Sequence, residues 1–152
     1  MANDIKIVPA RETDLPAIRV LLVELMAAME DTEGFDIDKA VENCRSFIRS
    51  TGQYVLVAKL RHEIAGCINF SMRKTILHPA PSGLIDELIV SEKSRGTGIG
   101  KQLIQAAVDK CRELGCCEVE VSTEKSNIKA RKFYKACGFE EEAVLLELNL
   151  TD

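Results

Sequence analysis

Ser91-Glu-Lys-Ser-Arg-Gly-Thr-Gly-Ile-Gly-Lys-Gln102 is a basic, glycine-dense stretch set between an apolar run and an amphipathic one. The run before it, Leu84–Val90, predicts a strand, and the residues from about Gly98 to Leu114 predict a helix. With so little side-chain bulk, a loop of this kind leaves backbone N–H groups directed outward at a helix N-terminus. That end carries the positive pole of the helix dipole and binds phosphate or pyrophosphate. A strand, a phosphate-type loop and a helix in succession also predict a βαβ unit and a locally parallel pair of strands.

Working outward, Ile5–Val8 predicts a short strand. Thr13 and Asp14 then cap a helix with Pro16 in its first turn, running to about Glu30. Leu15, Ile18, Leu21, Leu22, Leu25, Met26 and Met29 form its apolar face. A second helix is expected over Asp38–Arg49, with Val41, Cys44, Phe47 and Ile48 inward. Tyr54–Lys59 and Ile64–Met72 read as a hairpin turning at Arg61-His62, followed by a loop from His78 to Gly83. After the central helix come a strand over Cys116–Val121, a helix over Asn127–Ala136 ended by Gly138, and an extended segment from Phe139 to Leu150. The expected fold class is α/β, with a mixed antiparallel and parallel central sheet flanked by helices on both faces.

The chain has 152 residues, 46% hydrophobic and 29% charged, a globular composition expected to form one domain over residues 1–152. The opening Met-Ala-Asn-Asp-Ile-Lys-Ile-Val-Pro lacks a basic region followed by an apolar one, and no stretch is apolar for long enough to span a bilayer. A cytoplasmic location with no membrane partner is the expectation. The net charge is −4, and the basic residues form no run beyond Arg131-Lys132, which argues against a nucleic-acid partner. Mild acidity suits a cationic small substrate better than an anionic one. The six cysteines fall mostly at apolar positions of predicted elements, without C-x-x-C or a ligand-like spacing to His62 or His78. They read as reduced thiols, with no metal expected.

Three phosphate-binding patterns compete for the loop. A G-x-x-x-x-G-K-[ST] loop fails because Arg95 stands five before Gly100 and Gln102 follows Lys101. A G-x-G-x-x-G fingerprint is weakened, since Gly96 and Gly98 are followed by Gly100 one position early, although Glu118 and Glu120 lie where a ribose-binding acid would. The pattern [RQ]-x-x-G-x-[GA] is met by Arg95, Gly98 and Gly100. It resembles the acetyl-CoA signature of the GNAT N-acetyltransferase superfamily. Asn127-Ile-Lys-Ala-Arg-Lys-Phe-Tyr-Lys-Ala-Cys-Gly-Phe139 also resembles that family's N-x-x-A-x-x-F-Y-x-x-x-G-F segment at every fixed position. The similarity is strong from Leu84 to Phe139 and looser before, where Leu84–Val90 looks like the strand entering the loop and Ile7–Asp14 like the opening strand and first cap.

The resemblance implies a GNAT-like fold and acetyl transfer from acetyl-CoA to a primary amine, by direct attack and without a metal. A lysine-like amine has a pKa near 10.4, so a base must first take its proton. Asp86 and Glu87 are the candidate bases. Adjacent on one strand, their side chains point to opposite faces unless a bulge intervenes, so one of the two is expected to meet the acceptor. Asp86 matches the acidic position of polyamine-type members, and Glu87 the family's commoner carboxylate. Tyr134 is implied as the proton donor to the departing thiolate. The acetyl and pantetheine groups are expected along the backbone of Leu88, Ile89 and Val90, with Asn127 hydrogen-bonding the pantetheine arm. Arg95, Gly96, Thr97, Gly98, Ile99, Gly100 and Lys101 are expected to cradle the pyrophosphate. Glu24, Glu30, Asp31 and Glu33 put acids near the acceptor region, which fits a small cationic amine of polyamine, aminoalkyl or aminoglycoside type. A peptide or protein amine is the competing acceptor, a non-catalytic acetyl-CoA-binding domain the competing function, and a nucleotide-dependent oxidoreductase the remaining class. A homodimer follows from the resemblance alone.

Overall fold

The computed structural model describes residues 4–151; Met1–Asn3, the start of the opening stretch read above, and Asp152 lie outside the described residues. Five strands form one sheet in the order β1-β2-β3-β4-β5: β1 (Ile5–Pro9), β2 (Gln53–Leu60), β3 (Glu63–Arg73), β4 (Ser82–Val90) and β5 (Glu118–Val121). The first four are antiparallel to their neighbours, and β4 pairs with β5 in parallel. Helices α1 (Leu15–Ala28) and α2 (Ile37–Arg49) cover one face, and α3 (Ile99–Glu113) and α4 (Ile128–Ala136) the other. The mixed sheet with helices on both faces is the expected architecture.

Each face carries its own apolar core. Ile18 and Leu21 of α1 pack with Val57, Cys67 and Ile89, and the predicted inward row of α2 (Val41, Cys44, Phe47, Ile48) lies half-buried against them. Leu103, Ile104, Ala107 and Cys111 of α3 pack on Ala58, Ile68, Phe70 and Ile85 from the opposite side. The β2–β3 turn is two residues long, with Arg61 at φ 60. Of the six cysteines, all free, Cys67 and Cys111 are buried and Cys117 is exposed. Burial pushes the Cys44 thiol up to about 11 and those of Cys67 and Cys111 up to about 12. Among the described residues no helix is long and apolar enough to cross a membrane.

Several local expectations are corrected. Asp14 does not cap α1 forward; its carboxylate accepts from the Arg11 N–H at 2.8 Å, closing a 3-10 turn over Glu12–Asp14 from which α1 continues. The cap of α2 is Asp36, accepting from Asp38 N and Lys39 N, so that helix starts earlier than expected. Ser82 and Gly83 belong to β4, and β5 starts at Glu118 because the Cys116 N–H is spent on the Cys111 carbonyl at the end of α3. The extended segment from Phe139 to Leu150 forms no regular element. Strand main chain needs a neighbouring strand to take its hydrogen bonds, and this segment pairs with none of the five. Glu142 instead pairs with Arg131 and Lys135 of α4.

Candidate active site

The site begins where two parallel strands separate. β4 and β5 pair only from Ser82 opposite Glu118 to Ile85 opposite Val121. β4 then continues through Asp86–Val90, bonded to β3 alone. A wedge opens on its other side, walled by main-chain groups of residues 86–90. The parting coincides with an irregularity in the β3–β4 ladder. Asn69 faces Glu87 and Phe70 faces Ile85, which leaves Asp86 as an extra, unpaired residue. A bulge of this kind bends and twists its strand.

This is the bulge that was the allowed exception to alternation of Asp86 and Glu87. Ile85 packs into the α3/α4 core and Ile89 into the α1/α2 core, although four residues of regular strand would return to the same face. The phase slips between them, at the two acids, and both carboxylates remain exposed. Burial raises the Asp86 carboxyl above its ordinary value. Burial is also the main cause at Glu87. The Asn69 side chain, whose Oδ1 accepts from the Glu87 N–H at 2.9 Å, draws Glu87 partly back, and the Asp86 charge pushes it up again. Asn69 escaped the sequence reading, although a polar residue between Ile68 and Phe70 in an apolar strand was a usable signal.

After Val90 the chain enters the glycine loop under several restraints. Ser91 N donates to the Ala65 carbonyl at 2.8 Å, at the extra residue of a second bulge, on β3. Glu92 N donates to Glu24 Oε2 at 3.0 Å, which ties α1 to the start of the loop. The Thr97 hydroxyl donates to the Ser94 carbonyl. Gly96 and Gly98 lie at φ 77 and 88, and a β-carbon on either would meet nothing within 4 Å. Open space on both sides of a left-handed backbone is what a cradle for a bulky anion requires. Gly98 is the N-cap of α3 and supplies no side chain to its first-turn N–H groups, with Lys101 in that turn. These residues fit the pyrophosphate of a CoA-type molecule. Ile99 is 1% exposed, so only its main chain could meet such a ligand. Arg95 is exposed, its Nε donating back to the Val90 carbonyl at 3.3 Å.

The second motif packs against the first through α4. Asn127 caps that helix, its Oδ1 accepting from Ala130 N at 3.1 Å, which leaves its amide N–H₂ outside the cap bond. Phe133 and Tyr134 make an edge contact at 5.3 Å between ring centroids, and Tyr134 meets Phe139 at 5.9 Å. Burial, and then nearby Cys137, raise the Tyr134 phenol above its ordinary value, so it is protonated throughout the neutral range. Of the four acids assigned to an acceptor region, Glu24 is committed to the loop clamp, and Asp31 closes a local turn by accepting from Glu33 N at 2.9 Å. Glu30 and Glu33 are exposed beyond the end of α1.

Residues 16–139 match the acetyltransferase (GNAT) family. Over 149 residues the chain is 24% identical to glucosamine 6-phosphate N-acetyltransferase of Arabidopsis thaliana, covering 95% of each. An aminoglycoside acetyltransferase from an uncultured soil metagenomic sample, solved in complex with sisomicin, superposes with a TM-score of 0.81 at 28% identity, over 98% of this chain and 97% of that one. The structure of an aminoglycoside N-acetyltransferase in complex with CoA has a TM-score of 0.82 over 97% of this chain and 95% of its own, and at 22% identity shares the fold.

Proposed function

We propose, from the premise that this chain belongs to the acetyltransferase (GNAT) family, that it moves the acetyl group of acetyl-CoA to a primary amine of a small cationic molecule. The enzyme is an acetyl-CoA-dependent N-acetyltransferase. The observation that carries the acceptor reading is the bulge at Asp86, which sets two carboxylates with raised affinity for protons where the wedge opens.

In this reading the pyrophosphate of acetyl-CoA lies on the main chain of Gly96–Lys101, with Arg95 swinging from the Val90 carbonyl to meet it. The pantetheine arm follows the wedge along Leu88–Val90, and Asn127 donates to it through its amide. An incoming ammonium is drawn to Asp86 and Glu87, and one of these takes its proton, directly or through a water. The freed nitrogen attacks the thioester carbon, and main-chain N–H groups along the wedge stabilise the oxyanion. As the C–S bond breaks, Tyr134 donates its phenolic proton to the sulfur and CoA leaves as the thiol, while the second proton of the attacking nitrogen passes through water to the Tyr134 phenolate and restores it. A single domain encloses the whole site, and no metal takes part.

Two relatives favour a small acceptor: one is named for an amino sugar phosphate, the other for an aminoglycoside. The acids Glu30 and Glu33 favour the cationic kind. The test is release of free CoA thiol from acetyl-CoA in the presence of polyamines, aminoglycosides, aminoalkylphosphonates, glucosamine 6-phosphate and peptides. Turnover confined to polycationic small amines is expected. Turnover on peptides alone overturns the acceptor reading, and tight acetyl-CoA binding without turnover on any amine overturns the catalytic assignments.

A further inference from the structure

Asn69 is the one polar residue in the run Ile64–Phe70 of β3. Its neighbours Ile68 and Phe70 are both 0% exposed and pack into the α3/α4 core. Asn69 shares the other face of the strand with Cys67, two positions away, which is buried in the α1/α2 core. Across the sheet it stands in a row with Val55 of β2 and Glu87 of β4, beside the row Val57, Cys67 and Ile89. Val55, Val57, Cys67 and Ile89 are all buried. An amide set among such residues costs free energy unless its polar atoms find partners. Glu87 supplies them.

The Asn69 Oδ1 accepts from the Glu87 N–H at 2.9 Å, so a side chain takes a main-chain group where the bulge interrupts the β3–β4 ladder. That bond fixes which way the amide faces. With Oδ1 on the main chain, the N–H₂ is the donor in the hydrogen bond from the Asn69 side chain to the Glu87 carboxyl. Burial raises that carboxyl above its ordinary value, Asn69 draws it down, and the Asp86 charge raises it again. The other titratable groups bearing on it are Cys44 of α2 and Cys67 of β3. Burial pushes these thiols up to about 11 and about 12, so both are neutral at pH 7. Helix α1 turns Ile18, Leu21 and Leu25 to this face. Asp86 is therefore the charge that opposes ionisation of Glu87, and Asn69 the group that offsets it.

We propose that Asn69 is a positioning residue for acetyl transfer, a single amide that holds both the bulged main chain at Glu87 and the carboxylate that Glu87 presents to the acceptor amine. The role rests on the acetyl-transfer reading above, in the form where Glu87 takes the proton. One side chain then sets where the base stands and how readily it is ionised.

Asn69→Asp and Asn69→Leu separate the two duties at nearly constant side-chain size. The first keeps an acceptor for Glu87 N and loses the donors; the second loses both. Three readouts on the full chain apply: hydrogen exchange of the Glu87 amide, carbon-13 NMR titration of the Glu87 carboxyl, and the pH profile of kcat/KM. The Glu87 amide is expected to be protected in the parent and in Asn69→Asp, and to exchange about 10-fold or more faster in Asn69→Leu. The carboxyl is expected to titrate about 1 pH unit higher in Asn69→Leu, and higher still in Asn69→Asp, where a like charge replaces a donor. The acid limb of kcat/KM should move in the same order. Because the bulge is no longer held, kcat of Asn69→Leu should fall roughly 10–100-fold at unchanged KM for acetyl-CoA.

A Glu87 titration that is the same in all three proteins overturns the proposal, as does a Glu87 amide equally protected in Asn69→Leu and the parent. A titration that moves while the acid limb of an active enzyme stays in place overturns it as well, since the hold then carries nothing to catalysis. The two NMR readouts need no turnover. A parent inactive on every amine, with both NMR readouts as expected, overturns the acetyl-transfer reading and the catalytic role with it, and leaves the hold on Glu87 standing.

Discussion

The ring tip of Phe133 closes over Gly100: a β-carbon on Gly100 would sit 3.2 Å from Phe133 Cζ. The first residue belongs to the α4 motif and the second to the glycine loop, 33 positions apart in the chain (133 − 100). Their contact fixes the helix that carries Tyr134 relative to the helix that would hold the pyrophosphate.

Gly100→Ala sets two effects against each other. Alanine gains about 1 kcal/mol of helix propensity over glycine, while forcing the Phe133 ring aside costs about 1–3 kcal/mol. A small net destabilisation is expected, with kcat reduced because Tyr134 moves with its neighbour. Adding Phe133→Leu should restore part of the kcat, with a coupling of about 0.5–2 kcal/mol in a double-mutant cycle of unfolding free energies. Additive effects would mean that the contact transmits nothing.

Gly98 is limited by backbone and not by space, since its φ is 88 and a β-carbon would touch nothing. Gly98→Ala should therefore cost about 1–2 kcal/mol of stability and raise the KM for acetyl-CoA. Gly98→Asn should cost less, because asparagine tolerates the left-handed region. Chemical denaturation of the two variants checks the order.

At Glu87 the pH dependence separates the two acids. A base must be ionised, so kcat/KM rises as pH climbs through its pKa, and burial places that limb above the ordinary glutamate value near 4.3. If Glu87 is the base, Asp86→Asn removes a neighbouring negative charge and moves the limb to lower pH, while Glu87→Gln abolishes it. If Asp86 is the base, Asp86→Asn abolishes the limb. For stability, a carboxyl whose folded pKa is raised contributes below its unfolded pKa, and the contribution is lost as pH rises through the folded one. Glu87→Gln should thus raise the Tm at neutral pH, which a thermal melt at pH 7 reads directly.

Tyr134→Phe keeps the ring contacts with Phe133 and Phe139 and removes only the hydroxyl. Loss of a general acid should lower kcat about 100-fold with little change in acetyl-CoA affinity. Single-turnover rates and calorimetric binding measure the two separately. A kcat within a few-fold of the parent would leave Tyr134 as a packing residue.

Asn127 carries two separable duties, since its Oδ1 caps α4 and its amide faces outward from that bond. Asn127→Ala should lose about 1 kcal/mol of stability with the cap. Asn127→Asp retains an acceptor for Ala130 N while losing the donors, so stability should hold and the KM for acetyl-CoA should rise. Equal KM values for Asn127→Asp and the parent would remove Asn127 from the ligand.

The sequence by itself carried the information that is local in the chain. Period-two and helical runs placed all five strands and all four helices within about two residues of their observed bounds, because burying one face is a property of consecutive residues. The glycines of Ser91–Gln102 announced a phosphate-type loop at a helix start, and Asn127 to Phe139 announced the partner motif, since each needs only its own neighbours to be legible. Tertiary structure decided what depends on register between distant strands. Whether Asp86 and Glu87 keep strict alternation turns on an extra residue opposite the Asn69–Phe70 step, 17 positions away from Asp86 (86 − 69), and no pattern within β4 reveals it. Glu24 looked like a free acid on a helix, and only the approach of Glu92 made it a clamp. Residues 143–150 have the sequence of a strand but form none, and a strand is completed by its neighbour's hydrogen bonds, which no single segment can supply.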